Sequence, residues 1–210
     1  MAYDLEEQEQ LAQLKAWWDK YGTATLGLLS LALVIVLGWQ GLNWYDNSQA
    51  QQSRGYYDAL ERAAAQEGAD SGPRIQAAMQ TLQNDFPKTD YAARAALVAA
   101  NALVRRNELD AAMAPLTWLA GSSHVALAPV ARLRLAGILL DQGKYDEALA
   151  ELAAPPDSFK ALYADRRGDI LAAQGKREQA LEAWREAVQL LGPSDALTNV
   201  VQLKIDTVGS

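Results

Sequence analysis

Asp165 and Asp169 stand four residues apart, a spacing that sets two carboxylates on one helix face, where a pair can do acid–base work. Arg166 and Arg167 lie between them, so the sequence predicts a solvated, charge-balanced helix surface rather than a paired-acid site. The one histidine, His124, sits in the loop Gly121-Ser-Ser-His124, with no cysteine anywhere in the chain. A lone loop histidine without thiolate neighbours reads as solvent-exposed, not as a metal ligand or general base. Absence of cysteine excludes disulfides, thiolate nucleophiles and thiolate metal sites. No Gly-rich phosphate loop, GxSxG elbow or HExxH helix occurs. The expectation is a protein that is not an enzyme and takes no cofactor or metal.

The elements around these residues explain why. From Tyr21 to Tyr45 runs a window of 25 residues without a charge. As a helix it would reach about 37 Å, and a bilayer core needs about 30 Å. Trp17, Trp18 and Tyr21 precede it, and Trp39, Trp44 and Tyr45 close it, so four of the chain's six tryptophans flank one segment. Such rings settle in headgroup layers, and the window reads as one transmembrane helix. A buried core helix is the first alternative, but one this long would show a polar face. A cleaved signal peptide, ending near Ser48-Gln49-Ala50, is the second. Against it stands the leading segment of 20 residues, which is long and acidic where a short basic region is expected.

Overall charge is −7, with five acids and two lysines in the first 45 residues. An acidic chain with no basic run is a poor partner for nucleic acid. Lys15 and Lys20 precede the span, while Arg54 and Arg62 are the first basic residues after it. The positive-inside rule therefore leans towards a cytoplasmic tail (1–20), a span (21–45) and a translocated domain (46–210). Leu11, Leu14, Trp18 and Tyr21 follow helical spacing, fitting either an amphipathic lead-in at the membrane surface or a helix continuous with the span. Within the span, Thr23, Gly27, Ser30, Val34, Gly38 and Gly41 fall inside an arc of about 80°. A face of mostly small residues lets another helix approach closely in lipid, so these six form a candidate transmembrane partner face.

Beyond the span every long segment reads as helix, with 35 alanines from Asp46 onward. Helices are expected at Gln49–Gln66, from about Pro73 to just before Phe86-Pro87, and from about Tyr91 to Arg105 behind a Thr89-Asp90 cap. A repeat follows. Asn107-Glu-Leu-Asp-Ala-Ala-Met113, Gly143-Lys-Tyr-Asp-Glu-Ala-Leu149 and Gly175-Lys-Arg-Glu-Gln-Ala-Leu181 align at spacings of 36 and 32 residues. These bracket the roughly 34 residues of a tetratricopeptide repeat. Seven before each turn stand Ala100, Ala136 and Gly168. Five after come Ala112, Ala148 and Ala180, and nine after come Leu116, Leu152 and the bulkier Trp184. Asn107 takes the turn position that glycine holds in the other two units, and asparagine tolerates the left-handed conformation. The fold class is therefore all-α: one N-terminal transmembrane helix, then a solenoid of helical hairpins. Units are expected at about 91–120, 128–154 and 161–192, the second cut short by Ala153-Ala-Pro-Pro156, with a capping helix at 194–208 that begins Ser194-Asp195.

A repeat stack of this kind offers its inner helices as a binding surface. The register turns inward Arg94, Leu97, Asn101 and Arg105 from the first unit. It adds Val130, Leu133, Leu140 and Asp141 from the second, and Leu162, Asp165 and Asp169 from the third. That surface mixes charges, so it does not predict capture of an acidic C-terminal tail by a basic clamp.

With these features together the chain resembles the YfgM family of bacterial inner-membrane proteins, ancillary subunits of the SecYEG translocon. The likeness is carried by the acidic N-terminus, the early span ending in Gly38-Trp39, and the turn Asn107-Glu-Leu-Asp-Ala-Ala. Ala164-Asp-Arg-Arg-Gly-Asp-Ile-Leu171 followed by Gly175-Lys, and Gln202-Leu-Lys-Ile205, carry it further. The resemblance implies a signal-anchor protein with its domain in the periplasm, bound to SecYEG and to a prolyl-isomerase-class periplasmic chaperone (PpiD). It implies a role in helping newly translocated, unfolded client proteins leave the channel. It also implies a link to stress signalling through the response regulator RcsB, which the acidic tail would serve. No family motif assigns binding residues. The alternative is a tetratricopeptide scaffold of another envelope assembly or maturation complex.

Overall fold

The computed structural model describes residues 2–66, 68–193 and 195–209, with side chains from residue 9 onward. Among them every regular element is helical, and no strand occurs. The first helix, α1, runs unbroken over Ala2–Ala65. Of the two expectations for the lead-in, the chain therefore takes the continuous helix. Proline is absent from this stretch, and its glycines are spread singly among strong helix formers, so nothing stops it before Gln66. Two compact units divide the chain between Gln49 and Ala50.

In the first unit the most apolar window has a mean hydropathy of 1.9 and is only 6 % buried. Large apolar side chains stand exposed from Leu11 to Tyr45. A core helix would hide that surface. By length and composition this helix can cross a membrane once.

The second unit opens with the end of α1, whose Leu60 and Ala63 are buried in the same core as α2 and α3. Then come α2 (Ser71–Asp85), α3 (Asp90–Arg105), α4 (Leu109–Ala120), α5 (Ala128–Asp141), α6 (Tyr145–Glu151), α7 (Lys160–Ala173), α8 (Arg177–Leu191) and α9 (Ala196–Gly209). Thr89 caps α3 as expected, its hydroxyl accepting from the Ala92 amide at 3.3 Å. Ser194 lies outside the described residues, and at the start of α9 it is Asp195 whose carboxylate accepts from the Leu197 amide at 2.9 Å.

Three turns share one geometry. Asn107, Gly143 and Gly175 have φ of 59°, 72° and 76°. At each, the next residue's amide donates back to Leu103, Leu139 or Leu171, in every case at 2.9 Å. The turn residue itself donates to the carbonyl of Val104, Leu140 or Ala172, also at 2.9 Å. These paired bonds close the last turn of each inner helix and send the chain back as the outer one. Since a side chain with φ near 60° costs about 1 kcal/mol unless it is Asn or Gly, Asn107→Ala is expected to lower stability by about that amount, and Asn107→Gly by less. Thermal unfolding of the two variants checks this.

The nine positions aligned by the repeat are all buried, from Ala100 and Ala112 to Trp184. At the third crossing Gly168 faces the indole of Trp184, and a methyl on Gly168 would overlap that ring. The small residue is thus matched to the large one. The Pro155-Pro156 break shortens α6 to 7 residues. Inner helix α7 then packs on α5 as well, and the buried Tyr163 hydroxyl donates to the Pro129 carbonyl at 3.1 Å.

A second tie recurs between units. Gln142 donates to Asp110 at 3.1 Å, and Gln174 to Asp146 at 3.3 Å, each linking the end of an inner helix to the preceding outer helix. Its signal is legible as Gln one residue before a turn glycine and Asp three after the previous turn.

Candidate interaction surfaces

On the apolar helix Thr23, Gly27, Ser30, Val34, Gly38 and Gly41 are all exposed. A methyl group added at Gly27, Gly38 or Gly41 would meet nothing within 4 Å. Gly22 differs: the Trp18 ring folds over it, and a methyl there would lie 3.1 Å from the indole. Trp17 packs beside both Trp18 and Tyr21, with ring centroids 6.3 and 6.0 Å apart. The aromatic collar is thus one local cluster, on which Lys20 places its ammonium 5.1 Å from the Tyr21 ring.

In the second unit, eleven inner-helix positions divide into four groups. Asn101, Leu133 and Asp141 come together in a groove of about 410 Å³ between α3 and α5, whose lining also includes Val104, Arg134 and Arg166. Arg94, Arg105 and Leu162 are exposed outside its lining, and Arg105 reaches back to the Ala64 carbonyl at 3.5 Å. Leu97, Val130 and Leu140 are half-buried, with Leu97 and Leu140 packed against the core. Those two contribute to the stack more than to an open surface.

Asp165 and Asp169 form the fourth group, and they are not the solvated pair that the intervening arginines suggest. Lys204 of α9 places its ammonium 2.7 Å from a carboxylate oxygen of each. The Trp184 indole donates to Asp169 at 3.2 Å, and Lys204 also lies 6.0 Å from the centre of that ring. Arg166 is more distant from Asp169, at 3.9 Å, and Arg167 turns away to pair with Glu186. Burial pushes the Asp165 carboxyl above the usual range, and the Lys204 ammonium opposes this without cancelling it. Burial pushes Lys204 down, but the two carboxylates together hold it above its ordinary value. The cluster fastens the last helix to α7. Lys204 escapes sequence reasoning because it lies 35 and 39 residues from its partners.

His124 is half-buried, not free in solvent: a ring nitrogen lies 3.0 Å from the Pro87 carbonyl, and the ring packs against Trp118. It ties the α4–α5 loop to the α2–α3 loop. Among the described residues no group of three or more His, Asp or Glu is placed to hold a metal ion.

Comparison with known proteins follows the same two-part layout. A family model described as a tetratricopeptide repeat-like domain matches residues 15–210, taking in the apolar helix as well as the solenoid. The chain is similar to the ancillary SecYEG translocon subunit of Neisseria gonorrhoeae, at 32 % identity over 99 % of this chain and all of that one. The proteins of the same name from Haemophilus influenzae and Escherichia coli are each 29 % identical. Coverage is 90 % of this chain and 92 % of the relative in the first case, and 96 % of each in the second.

Proposed function

The chain belongs to the YfgM family of ancillary SecYEG translocon subunits, and from that premise we propose that it is a non-enzymatic, single-pass inner-membrane subunit working beside the translocon. One observation carries the reading: the relatives match the apolar helix and the solenoid together, over 99 % of the chain in the first case. Anchor and repeat stack are therefore parts of one design. The tail of residues 1–20 lies in the cytoplasm, on the side of Lys15 and Lys20, and residues 46–210 form a periplasmic interaction domain. There the domain works with a prolyl-isomerase-class chaperone of the PpiD type on unfolded client proteins as they leave the channel. The acidic tail faces the compartment of RcsB and offers the surface through which stress signalling is modulated.

Purification of the full chain from membranes in mild detergent tests this. SecYEG subunits and the chaperone are expected to co-elute; recovery of neither counts against the proposal. Alkaline phosphatase fused to the C-terminus is expected to be active, and an inactive fusion rejects the periplasmic domain. The face of Thr23, Gly27, Ser30, Val34, Gly38 and Gly41 serves as the seam for a translocon helix, since small residues allow close approach in lipid. Replacing Gly27 and Gly38 with leucine is expected to reduce translocon recovery severalfold while membrane insertion is kept. Unchanged recovery removes the seam from the account.

A further inference from the structure

We infer that the groove between α3 and α5 takes an extended polypeptide segment that carries a carboxylate beside an apolar side chain. The inference rests on the proposed role of the inner helices as a binding surface and names the chemistry that surface selects.

From sequence, the inward positions balance arginines against Asp141, Asp165 and Asp169. The structure changes that balance. Asp165 and Asp169 are both engaged by Lys204 at 2.7 Å, and Asp169 also accepts from Trp184. Neither lines the groove, which leaves Asp141 as the one acid in its lining, against Arg134 and Arg166. Arg134 is held by a bond from one guanidinium nitrogen to the Leu97 carbonyl at 3.1 Å. Arg166 has a longer ion pair, with Asp169 at 3.9 Å, and lies across Gly137, close enough that a methyl there would sit 3.8 Å from its Nη1. Gly137 on α5 thus leaves room for the Arg166 guanidinium beside the groove.

The rest of the lining is apolar or neutral, with Val104, Leu116, Leu133 and Ile138 beside Asn101. A volume of about 410 Å³ is near the lower end of ligand-binding clefts, roughly 300–1,000 Å³. It suits one or two side chains of a passing chain and is too small for a folded partner. Planar guanidinium groups favour carboxylates, and Asn101 offers an amide that can pair with a peptide backbone. A segment alternating acidic and apolar residues satisfies all three features; a basic one would set its charge against two arginines.

The test uses the full chain in nanodiscs and two fluorescent probes, a short alternating Asp–Leu peptide and its Lys–Leu counterpart, read by anisotropy. Asp–Leu is expected to bind at least about tenfold more tightly than Lys–Leu, and Arg166→Gln to weaken it about tenfold. Asp141→Asn is expected to tighten it, and added salt to weaken it. Equal binding of both probes, abolished by Leu133→Glu, would overturn the charge selection while leaving the face as a binding surface. No binding of Asp–Leu overturns the inference. Loss of binding in Arg166→Gln counts only if the variant melts at the wild-type temperature; if it does not, Asp141→Asn decides, and its failure to tighten binding overturns the inference.

Discussion

Replacing Trp184 with alanine is expected to cost about 3–5 kcal/mol, the range for removing a buried aromatic side chain. The indole is 3 % exposed, and it fills the space left by Gly168 at the α7–α8 crossing. Four of the six other buried positions in its cluster are alanines, Ala164, Ala180, Ala183 and Ala187, beside Leu171 and Val201, so the void can be refilled only in part. Removal also frees Asp169 from the indole donor and takes away the ring beside Lys204. Trp184→Phe keeps much of the bulk and loses the donor, with an expected cost of about 1–3 kcal/mol. Gly168→Ala errs in the opposite sense, overpacking the same crossing by about 1–3 kcal/mol. Denaturant unfolding followed by circular dichroism measures all three. Additive losses in a Gly168→Ala, Trp184→Ala double variant would show that the two residues are not matched, since the added methyl then occupies space the indole vacated.

Loss of the Lys204 ammonium is the second large effect. Lys204→Met keeps much of the apolar stem but leaves Asp165 and Asp169 half-buried and facing one another, with only Arg166, 3.9 Å from Asp169, as a neighbouring cation. Breaking a fully buried pair costs about 3–5 kcal/mol. Here 28 % of the lysine side chain is exposed, so solvent screening lowers the expected loss to about 1–3 kcal/mol. Asp165→Asn is expected to cost less, because it removes a carboxylate that burial already disfavours.

The pH dependence follows from the same groups. Lys204 is raised in the folded chain, so its contribution is fully present below about pH 10.4 and fades as pH climbs through the folded value. Tyr57 is pushed up to about 12, by burial first and then by its hydrogen bond to the Glu61 carboxylate. Its contribution has the same sign, present below about pH 10 and lost towards pH 12. Asp165 is also raised. Its contribution is present below about pH 3.9 and lost as pH rises through the folded value, so protonating it does not itself weaken the fold. The expected profile is an alkaline loss of stability beginning near pH 10, made shallower by Lys204→Met and by Tyr57→Phe. An alkaline limb unchanged in both variants would contradict these assignments.

How much of this was legible beforehand depends on the range of the signal. The apolar helix declares itself because lipid leaves no room for charge over 25 consecutive residues. The turns are legible because the left-handed region admits few residue types, which is why Asn107 could stand for glycine. Small and large residues recur at fixed distances from the turn, so Gly168 and Trp184 were each placed by the repeat, whereas their direct contact appears only in the structure. What stayed hidden acts across elements. Lys204 reaches α7 only because α9 folds back on the stack, and that reverses the reading of Asp165 and Asp169 as solvated. His124 meets Pro87 through two loops whose approach no local pattern encodes. The groove lining shows the same limit: Asn101, Leu133 and Asp141 follow from the repeat register, whereas Arg134 and Arg166 enter through side-chain reach.

The most direct test of the central claim, a membrane-anchored repeat domain placed beside the translocon, is photocrosslinking in living cells. A photoreactive residue would replace Val34 on the small-residue face and, in a second strain, Leu133 in the groove. Val34 is expected to crosslink to a SecYEG subunit, and Leu133 to capture the proposed periplasmic chaperone or a newly translocated chain. Recovery of neither a translocon subunit nor a periplasmic polypeptide from the two positions would contradict that claim.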